Sequence, residues 1–279
     1  MKKDGALLKF PLKGKYVIMV APSFIVDFSY PEIIHALKEL GFDKVVELTF
    51  GAKLVNHEYH KILKDSKGLK ISTVCPGVVD VINKKYSQYK KNLIKVDSPM
   101  IAMGKVVRRT YPKHKIVFLS PCNYKKIEAE KSSYVDYVID YFQLKKLFSE
   151  NKIKLDKKSE IHFDKFYNDY TKIYPLGGGL SQTAHLKRII SKKDIKVIDG
   201  ISKVMKFLDK SSKSVKFFDC NFCTGGCIGG PFVNSRLSVS KKRKKVLSYL
   251  KESKRENIPE MKKGLILKAE GLDFLNHNL

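Results

Sequence analysis

The sequence of 279 residues predicts an α/β fold, and three observations lead to this prediction. Short apolar segments of strand length alternate with amphipathic segments of helical period along most of the chain. Hydrophobic residues make up 43% of the composition, which is enough for a substantial core. The cysteine-bearing segments follow predicted strands. Ligands of an open α/β sheet bind beyond the carboxyl ends of its strands, so we expect these cysteines to meet at one edge.

The predicted elements begin with a buried strand at residues 15–20 and a helix at 30–40 that stops at Gly41. Further strands are predicted at 44–48, 69–72, 115–119, 134–139, 196–198 and 214–218. Further helices are predicted at 51–64, from 78 onward, and at 100–109, 142–150, 180–190 and 200–209. Strands that alternate with helices in this way predict a sheet covered by helices.

Three glycines at 177–179 precede the predicted helix at 180–190. Such a turn can bind phosphate at a helix N-terminus. No Lys-Ser/Thr pair follows it, and no acidic residue lies at nucleotide-binding spacing. We therefore expect these glycines to allow close approach of the helix to the sheet.

The apolar runs and the number of cysteines also indicate the cellular compartment of the protein. No apolar run has the length needed to cross a bilayer, and the most apolar one, at 16–26, contains Pro22 and Ser23 and begins too late for a signal peptide. Five cysteines are an odd number and are too sparse for a secreted disulfide scaffold. We expect a cytoplasmic protein whose reduced thiols serve as metal ligands.

The chain is strongly basic, with 55 Lys and Arg against 28 Asp and Glu. This balance attracts nucleic acid, anionic membranes or acidic proteins. The charge is diffuse, and the dense run KKRKK at 241–245 leads into Val246, Leu247 and Leu250 at helical spacing. A solvated surface is favoured over a nucleic-acid footprint. An acidic electron carrier would also be attracted to this surface.

Cys220, Cys223 and Cys227 lie among four glycines in the segment 219–231. Thiolates are soft ligands for iron, and glycine lets the backbone approach a bulky cluster. The other two cysteines, Cys75 and Cys122, lie alone in distant turns. The spacing between the first two cysteines of the segment is a zinc half-site, but no second close pair or histidine completes it. Ferredoxin spacing is also absent.

Three ordered segments resemble the cluster-binding motifs of iron-only (di-iron) hydrogenases. They are STVCPG at 72–77, PCNYKKIEA at 121–129 and CTGGCIGGP at 223–231. Shorter matches to that family are APS at 21–23, GFD at 41–43, FGA at 50–52 and SP at 98–99. The order and context of these segments match the family along most of the chain.

The resemblance implies a two-lobed α/β catalytic domain with an H-cluster in the cleft between the lobes. This cofactor is a 4Fe-4S cubane joined through one thiolate to a di-iron unit that carries CO, cyanide and a bridging dithiolate. The residues matching the cubane ligands are Cys75, Cys122, Cys223 and Cys227, the last of which would bridge to the di-iron unit. The other candidate cofactor-binding residues are Pro22, Ser23, Lys125, Gly225 and Gly226, with Lys125 matching the donor to one cyanide.

The chain departs from the family at several positions. Val74 stands where the efficient enzymes have a cysteine that passes protons to the bridging amine. Asn221 and Ser120 replace methionines beside the cluster, and Cys220 is an addition. This pattern resembles the poorly characterised branches that are often assigned to sensing. The candidate catalytic residues are Lys125, Ser98, which matches a serine of the family's proton path, and Cys220 as a substitute proton carrier.

These matches predict a compact hydrogenase that interconverts protons, electrons and H2. The five cysteines leave none for a relay cluster, so we expect electrons to come directly from a docked ferredoxin or similar acidic carrier. Cluster maturation proteins are implied as further partners. The alternatives are a hydrogen sensor, an iron-sulfur assembly scaffold, and a zinc-bearing nucleic-acid binder supported by charge alone. We expect a single H-cluster domain over 1–279, with a basic helical extension at about 239–279.

Overall fold

The computed structural model describes residues 3–155, 161–210, 215–277 and 279. The strands are β1 Tyr16–Val20, β2 Lys44–Glu47, β3 Lys70–Ile71, β4 Lys115–Ser120, β5 Tyr137–Asp140, β6 Ile195–Asp199 and β7 Phe217–Asn221. The helices are α1 Glu32–Glu39, α2 Thr49–Asp65, α3 Pro76–Lys85, α4 Pro99–Thr110, α5 Asn123–Glu130, α6 Tyr141–Glu150, α7 Gly179–Thr183, α8 Ile201–Asp209 and α9 Val239–Ser253. The predicted α/β fold is confirmed.

The strands form two parallel sheets, and each sheet with the helices packed on it forms one lobe. The first sheet has the order β2-β1-β4-β5, and the second has the order β3-β7-β6. In the first sheet Ile18 pairs with Val45 on one side and with Val117 on the other. Strand β1 is buried on both faces, because Val17 belongs to one hydrophobic core and Ile18 to a second. Burial on both faces explains why these strands read as continuous apolar runs.

The carboxyl ends of the strands in both sheets lead to the predicted site segments. Strand β1 is followed by Pro22, and β4 is followed by Cys122. In the second sheet, β3 leads to Cys75, and β7 leads to Cys223. Parallel strands therefore bring segments that are distant in sequence to one region between the lobes.

Two predicted elements differ from the structure, and one helix was not predicted. The helix predicted at 180–190 ends at Thr183, because His185 adopts a left-handed φ of 53° before a short 3-10 turn. The strand predicted at 214–218 continues to Asn221, so Cys220 lies within a strand; residue 214 is outside the described part of the chain. Helix α5 was missed because it buries only Ala129, which leaves a weak apolar period.

The glycines at 177–179 have the packing role that the sequence predicts. A Cβ atom on Gly177 would lie 2.2 Å from a carboxylate oxygen of Asp199, and one on Gly178 would lie 3.0 Å from Val197. Both neighbours belong to β6. Gly177 and Gly178 therefore approach the second sheet closely, as predicted. A Cβ atom on Gly179 would instead meet the backbone carbonyl oxygens of Tyr174 and Ile173, which lie outside that sheet.

A buried ion pair joins the 3-10 turn Tyr170–Ile173 to strand β2 of the first sheet, and helix α9 adds a hydrogen bond to it. The Lys172 ammonium lies 2.9 Å from both carboxylate oxygens of Glu47, and both side chains are completely buried. The hydroxyl of Tyr249, on α9, donates to Glu47 over 2.7 Å. The same ammonium lies 4.6 Å from the centre of the Tyr249 ring.

No helix in the described part of the chain is long and apolar enough to cross a membrane.

Replacing Lys172 with Met tests this buried pair. The variant leaves the Glu47 charge without its cation in a site that excludes water, so we expect a loss of about 3–5 kcal/mol in the free energy of unfolding, measured by denaturant titration. Lys84→Met is the control, because its ion pair with Asp80 is exposed and its loss should leave stability within error. Equal stability of the two variants would contradict the account of the pair.

Candidate metal centre

A cleft between the two sheets contains the predicted cysteine segments. It encloses about 790 Å³ of empty space, including its solvent-facing mouth. Its wall includes Cys75, Cys122 and Cys227, together with Val74 and Lys125. Both sheets contribute to this wall, since Phe118 of β4 and Asn221 of β7 also line it. The fold therefore brings three of the four candidate ligands to one cavity.

Each cysteine is held by a turn that its neighbours define. Cys75 and Cys122 are the N-cap residues of α3 and α5 and have extended backbones, with Pro76 opening α3. Cys227 begins a 3-10 turn after Gly226. All the cysteines are free thiols. Rigid helix starts and a glycine turn thus fix the directions of these side chains.

Electrostatic coupling shows that the fourth candidate, Cys223, belongs to the same group. Burial, with the charges of Cys122 and Cys75, raises the pKa of Cys223 to about 12. Burial and then Cys75 likewise raise the pKa of Cys122, which Lys125 partly offsets. Cys227 is an exposed residue at the cavity wall. The protein atoms around its sulfur, followed by the charges of the other three thiols, raise its pKa. A cysteine binds a metal as its thiolate, so metal binding by Cys122, Cys223 and Cys227 would release their protons.

The spacing of these thiols is wider than a mononuclear site requires. Among the described residues, no group of three or more His, Cys, Asp or Glu is close enough to hold one metal ion. In a 4Fe-4S cubane each thiolate binds a different iron, so the ligands surround a body larger than one ion. Three thiols at the wall of a mostly apolar cavity, with Cys223 near them, fit such a cluster.

Two further predicted segments line the same cavity. Pro22 and Ser23 form its wall beside β1, and Ser23 Oγ lies 2.7 Å from the buried hydroxyl of Tyr141. Lys125 also lines the cavity, and its ammonium donates to Glu128 over 2.6 Å. An ammonium has three N–H donors, so this contact does not exhaust its capacity. Lys125 therefore offers a positive charge and hydrogen-bond donors at the cavity wall.

Successive side chains of β7 point to opposite faces of the sheet, so Asp219 and Cys220 lie on different faces although they are adjacent in the sequence. Asp219 and Asn221 line the cavity, whereas Cys220 between them belongs to a hydrophobic core on the opposite face. The backbone N–H of Cys220 donates to Ser72 Oγ over 3.0 Å, and its own sulfur lies 3.7 Å from the same oxygen. The structure thus places Cys220 outside the cavity wall. The sequence reasoning missed Asp219, although an acid after two phenylalanines in a buried strand was a signal.

The remaining candidates are close to the cavity but have different surroundings. Ser98 is the N-cap of α4, and its buried hydroxyl has no hydrogen-bond partner among the described residues. Gly225 and Gly226 have φ values of 83° and 79°. A Cβ on Gly226 would lie 2.5 Å from the carbonyl oxygen of Pro175, so backbone contact already requires glycine there.

Comparison with known proteins agrees with this geometry. A profile of the family described as iron only hydrogenase large subunit, C-terminal domain, matches residues 14–231. The chain belongs to this family of iron-only hydrogenase domains. The predicted resemblance is confirmed, and with it the relation to an iron-sulfur H-cluster site. The match ends before α9.

Individual relatives of this hydrogenase domain are distant. Iron hydrogenase 1 of Clostridium pasteurianum is 25% identical over 77% of the chain, and the chain spans about half (49%) of that relative. A variant of HydA1, an FeFe-hydrogenase from Chlamydomonas reinhardtii, has a TM-score of 0.63 at 17% identity, and the match covers 90% of this chain and 86% of that one. An FeFe-hydrogenase structure concerned with oxygen inactivation has a TM-score of 0.65 at 16% identity, with 90% and 87% covered. These structures share the fold.

The close backbone contact at Gly226 gives a test of how the hydrogenase domain builds its cysteine loop. We expect Gly226→Ala to destabilise the loop and reduce the iron bound after reconstitution, because the methyl group would collide with Pro175. Gly271→Ala is a matched control, since Gly271 has a φ of 73° and open space around it. The control should show only the cost of a left-handed alanine, roughly 1–2 kcal/mol, with full iron content. Similar iron content in both variants would contradict the contact.

Proposed function

We propose that this chain is a hydrogenase that interconverts protons, electrons and H2 at an H-cluster held by Cys75, Cys122, Cys223 and Cys227. The observation that carries the proposal is the convergence of thiols from both sheets. Cys75, Cys122 and Cys227 line a cavity whose wall includes Lys125, and Cys223 interacts electrostatically with these thiols. Thiolates are the ligands that iron-sulfur clusters use. We also propose that maturation proteins supply the di-iron unit and that the protein acts in the cytoplasm.

When bound, the cofactor supplies the redox chemistry and an open iron position for H2 or protons. The chain's own residues supply orientation and electrostatics. The positive charge and N–H donors of Lys125 suit an anionic cyanide ligand. Pro22 and Ser23 would define the opposite wall of the di-iron position, and Ser23 is held there by Tyr141. The apolar residues around them limit the access of water.

The proposal is tested by loading the purified apoprotein with iron, sulfide and a synthetic di-iron precursor. We expect H2 production with a reduced dye in proportion to the loaded cluster. The absence of H2 production and uptake from a fully loaded protein would overturn the enzyme assignment. A hydrogen sensor is the second candidate, because Val74 borders the cavity and has no transferable proton. Sensing would show as spectral changes under H2 with negligible turnover.

Single replacements test the ligand assignment. Cys122→Ala or Cys223→Ala removes one iron ligand, so we expect loss of the cubane's visible absorption and most of the bound iron after reconstitution. Cys220→Ala is the matched control, because its thiol points into a separate core and should leave the iron content unchanged. If Cys220→Ala lost the cluster while Cys75→Ala kept it, the ligands would instead come from the compact segment at 220–227.

Helix α9 provides a surface for an acidic electron donor beside the cysteine loop. A Cβ on Gly225 would lie 2.7 Å from Val239, so the start of α9 touches this loop. The exposed residues near this end include Lys241, Arg243 and Lys244. We propose that an acidic ferredoxin docks here, close enough to deliver electrons to the proposed cubane.

Charge reversal tests this docking surface. We expect Lys241→Glu with Lys244→Glu to raise the KM for an acidic ferredoxin about tenfold, which equals about 0.7 kcal/mol for each of two exposed ion pairs. The rate with a small neutral dye should not change. Reversal of the exposed Lys90 and Lys91 is the control for net charge. Equal KM changes in both double variants, or a KM independent of salt, would contradict docking on α9.

Val74→Cys tests whether proton supply limits turnover. A general acid within reach of the reacting group contributes about 10²–10⁴-fold, and valine cannot act as one. We expect the thiol to increase H2 production per assembled cluster at least about tenfold at saturating reductant. Iron content must be measured in parallel, because the new thiol lies beside Cys75. Equal rates would show that a different step or another proton carrier controls turnover.

A further inference from the structure

An acidic side chain interrupts the mostly apolar wall of the cleft. Asp219, near the end of β7, is only 1% exposed and lines the same cavity as Val74. Its neighbours in the strand, Phe218 and Cys220, point into the opposite core. The two-residue period of β7 therefore directs this carboxyl group toward the proposed cofactor site. A buried acid of this kind is costly unless hydrogen bonds or function compensate it.

In the part of the chain that the structure describes, the hydrogen-bond donors to Asp219 contact one of its two carboxylate oxygens. Its Oδ2 accepts hydrogen bonds from the backbone N–H of Ser181 over 3.0 Å and from the Ser181 hydroxyl over 2.6 Å. No Lys, Arg or His forms an ion pair with Asp219 among the residues that the structure describes. These donors would stabilise a carboxylate, and they leave Oδ1 as the position for a proton. The geometry suits a group that alternates between the acid and its anion.

Burial favours the protonated form of this group. It raises the pKa of Asp219, and the two Ser181 hydrogen bonds lower the pKa in part. A second polar group, Tyr174, lines the cavity, and its buried hydroxyl has no hydrogen-bond partner among the described residues. Burial, followed by the charges of Tyr59 and Asp219, raises the pKa of Tyr174. Its neutral hydroxyl is therefore available to an ordered water between it and the acid.

We propose that Asp219 is the acid that carries protons into the cleft, in the role that Val74 cannot fill. This inference rests on the proposed hydrogenase function. Formation of one H2 consumes two protons from solvent and two electrons from the external donor. In each transfer the Oδ1–H bond of Asp219 breaks, the proton passes into the cavity, and Ser181 stabilises the carboxylate on Oδ2. A solvent proton then restores the acid, and H2 oxidation reverses each step.

The central test compares wild type with Asp219→Asn after loading with iron, sulfide and a synthetic di-iron precursor. The amide keeps the shape and an acceptor for Ser181 but provides no acidic proton. We expect CO and cyanide infrared bands of wild-type intensity and H2 production at least about tenfold lower per loaded cluster. In wild type, reduction should change an infrared band of a protonated carboxyl group that shifts in D2O. That band should be missing from Asp219→Asn.

Three further variants separate proton transfer from a structural role. Asp219→Glu should recover much of the rate, because it restores an acid. Val74→Cys combined with Asp219→Asn should also recover it, because a thiol then supplies the proton at the same cavity. Ser181→Ala keeps the carboxyl group while removing one of its anchors, and should lose less activity than Asp219→Asn.

Two results would overturn the inference and leave the proposed hydrogenase function standing. One is wild-type turnover in Asp219→Asn, and the other is the absence of the deuterium-sensitive carboxyl band from wild type. If Asp219→Asn fails to assemble the cluster, the wild-type band and the rate of the Asp219→Glu protein decide the question. Loaded wild-type protein with CO and cyanide bands but neither H2 production nor uptake would overturn the hydrogenase function, and this inference with it.

Discussion

The proposed metal centre depends on one constraint: its candidate thiols lie in three distant segments, so the two sheets must bring them together. Parallel strands meet this constraint because their carboxyl ends lie together. Strand β4 of the first sheet delivers Cys122, while β3 and β7 of the second deliver Cys75 and the segment with Cys223 and Cys227. The site therefore exists only in the folded chain.

The same arrangement sets the electrostatics of the cleft. Burial and the neighbouring thiols raise the pKa values of Cys122, Cys223 and Cys227, which favours their protonated forms before iron binds. Lys125 adds a positive charge at the wall, and its partner Glu128 keeps that charge balanced in the apoprotein. Metal binding and proton release are thus linked in this domain. The surface outside the cleft differs, since its diffuse positive charge acts on partners through solvent.

Much of the fold could be predicted because the strands of the first sheet are mostly buried. Val17 to Val20 read as one apolar run, and the turns after such runs carried the cysteines. The break at His185 could not be predicted, because tertiary context holds that residue in a left-handed conformation. Helix α5 escaped prediction since its first turns serve Cys122 and Lys125 instead of a core. The local sequence pattern predicted the elements whose residues are mostly buried. It was weak for elements whose residues serve the candidate site.

The candidate site could also be predicted only in part from local sequence motifs. The ligand candidates and Lys125 came from motifs, but the separation of Asp219 from Cys220 required the pairing of β7 in the sheet. A one-residue shift in the register of a strand would exchange the side chains on its two faces. The cavity wall is therefore a product of strand register as much as of residue identity.

The most direct test of the central claim is an infrared spectrum of the full chain after loading with iron, sulfide and a synthetic di-iron precursor. If the four thiols hold an H-cluster beside Lys125, sharp CO and cyanide bands will remain after removal of excess precursor, in proportion to the protein. Protein that has bound its iron and sulfide but shows no such bands would contradict the account.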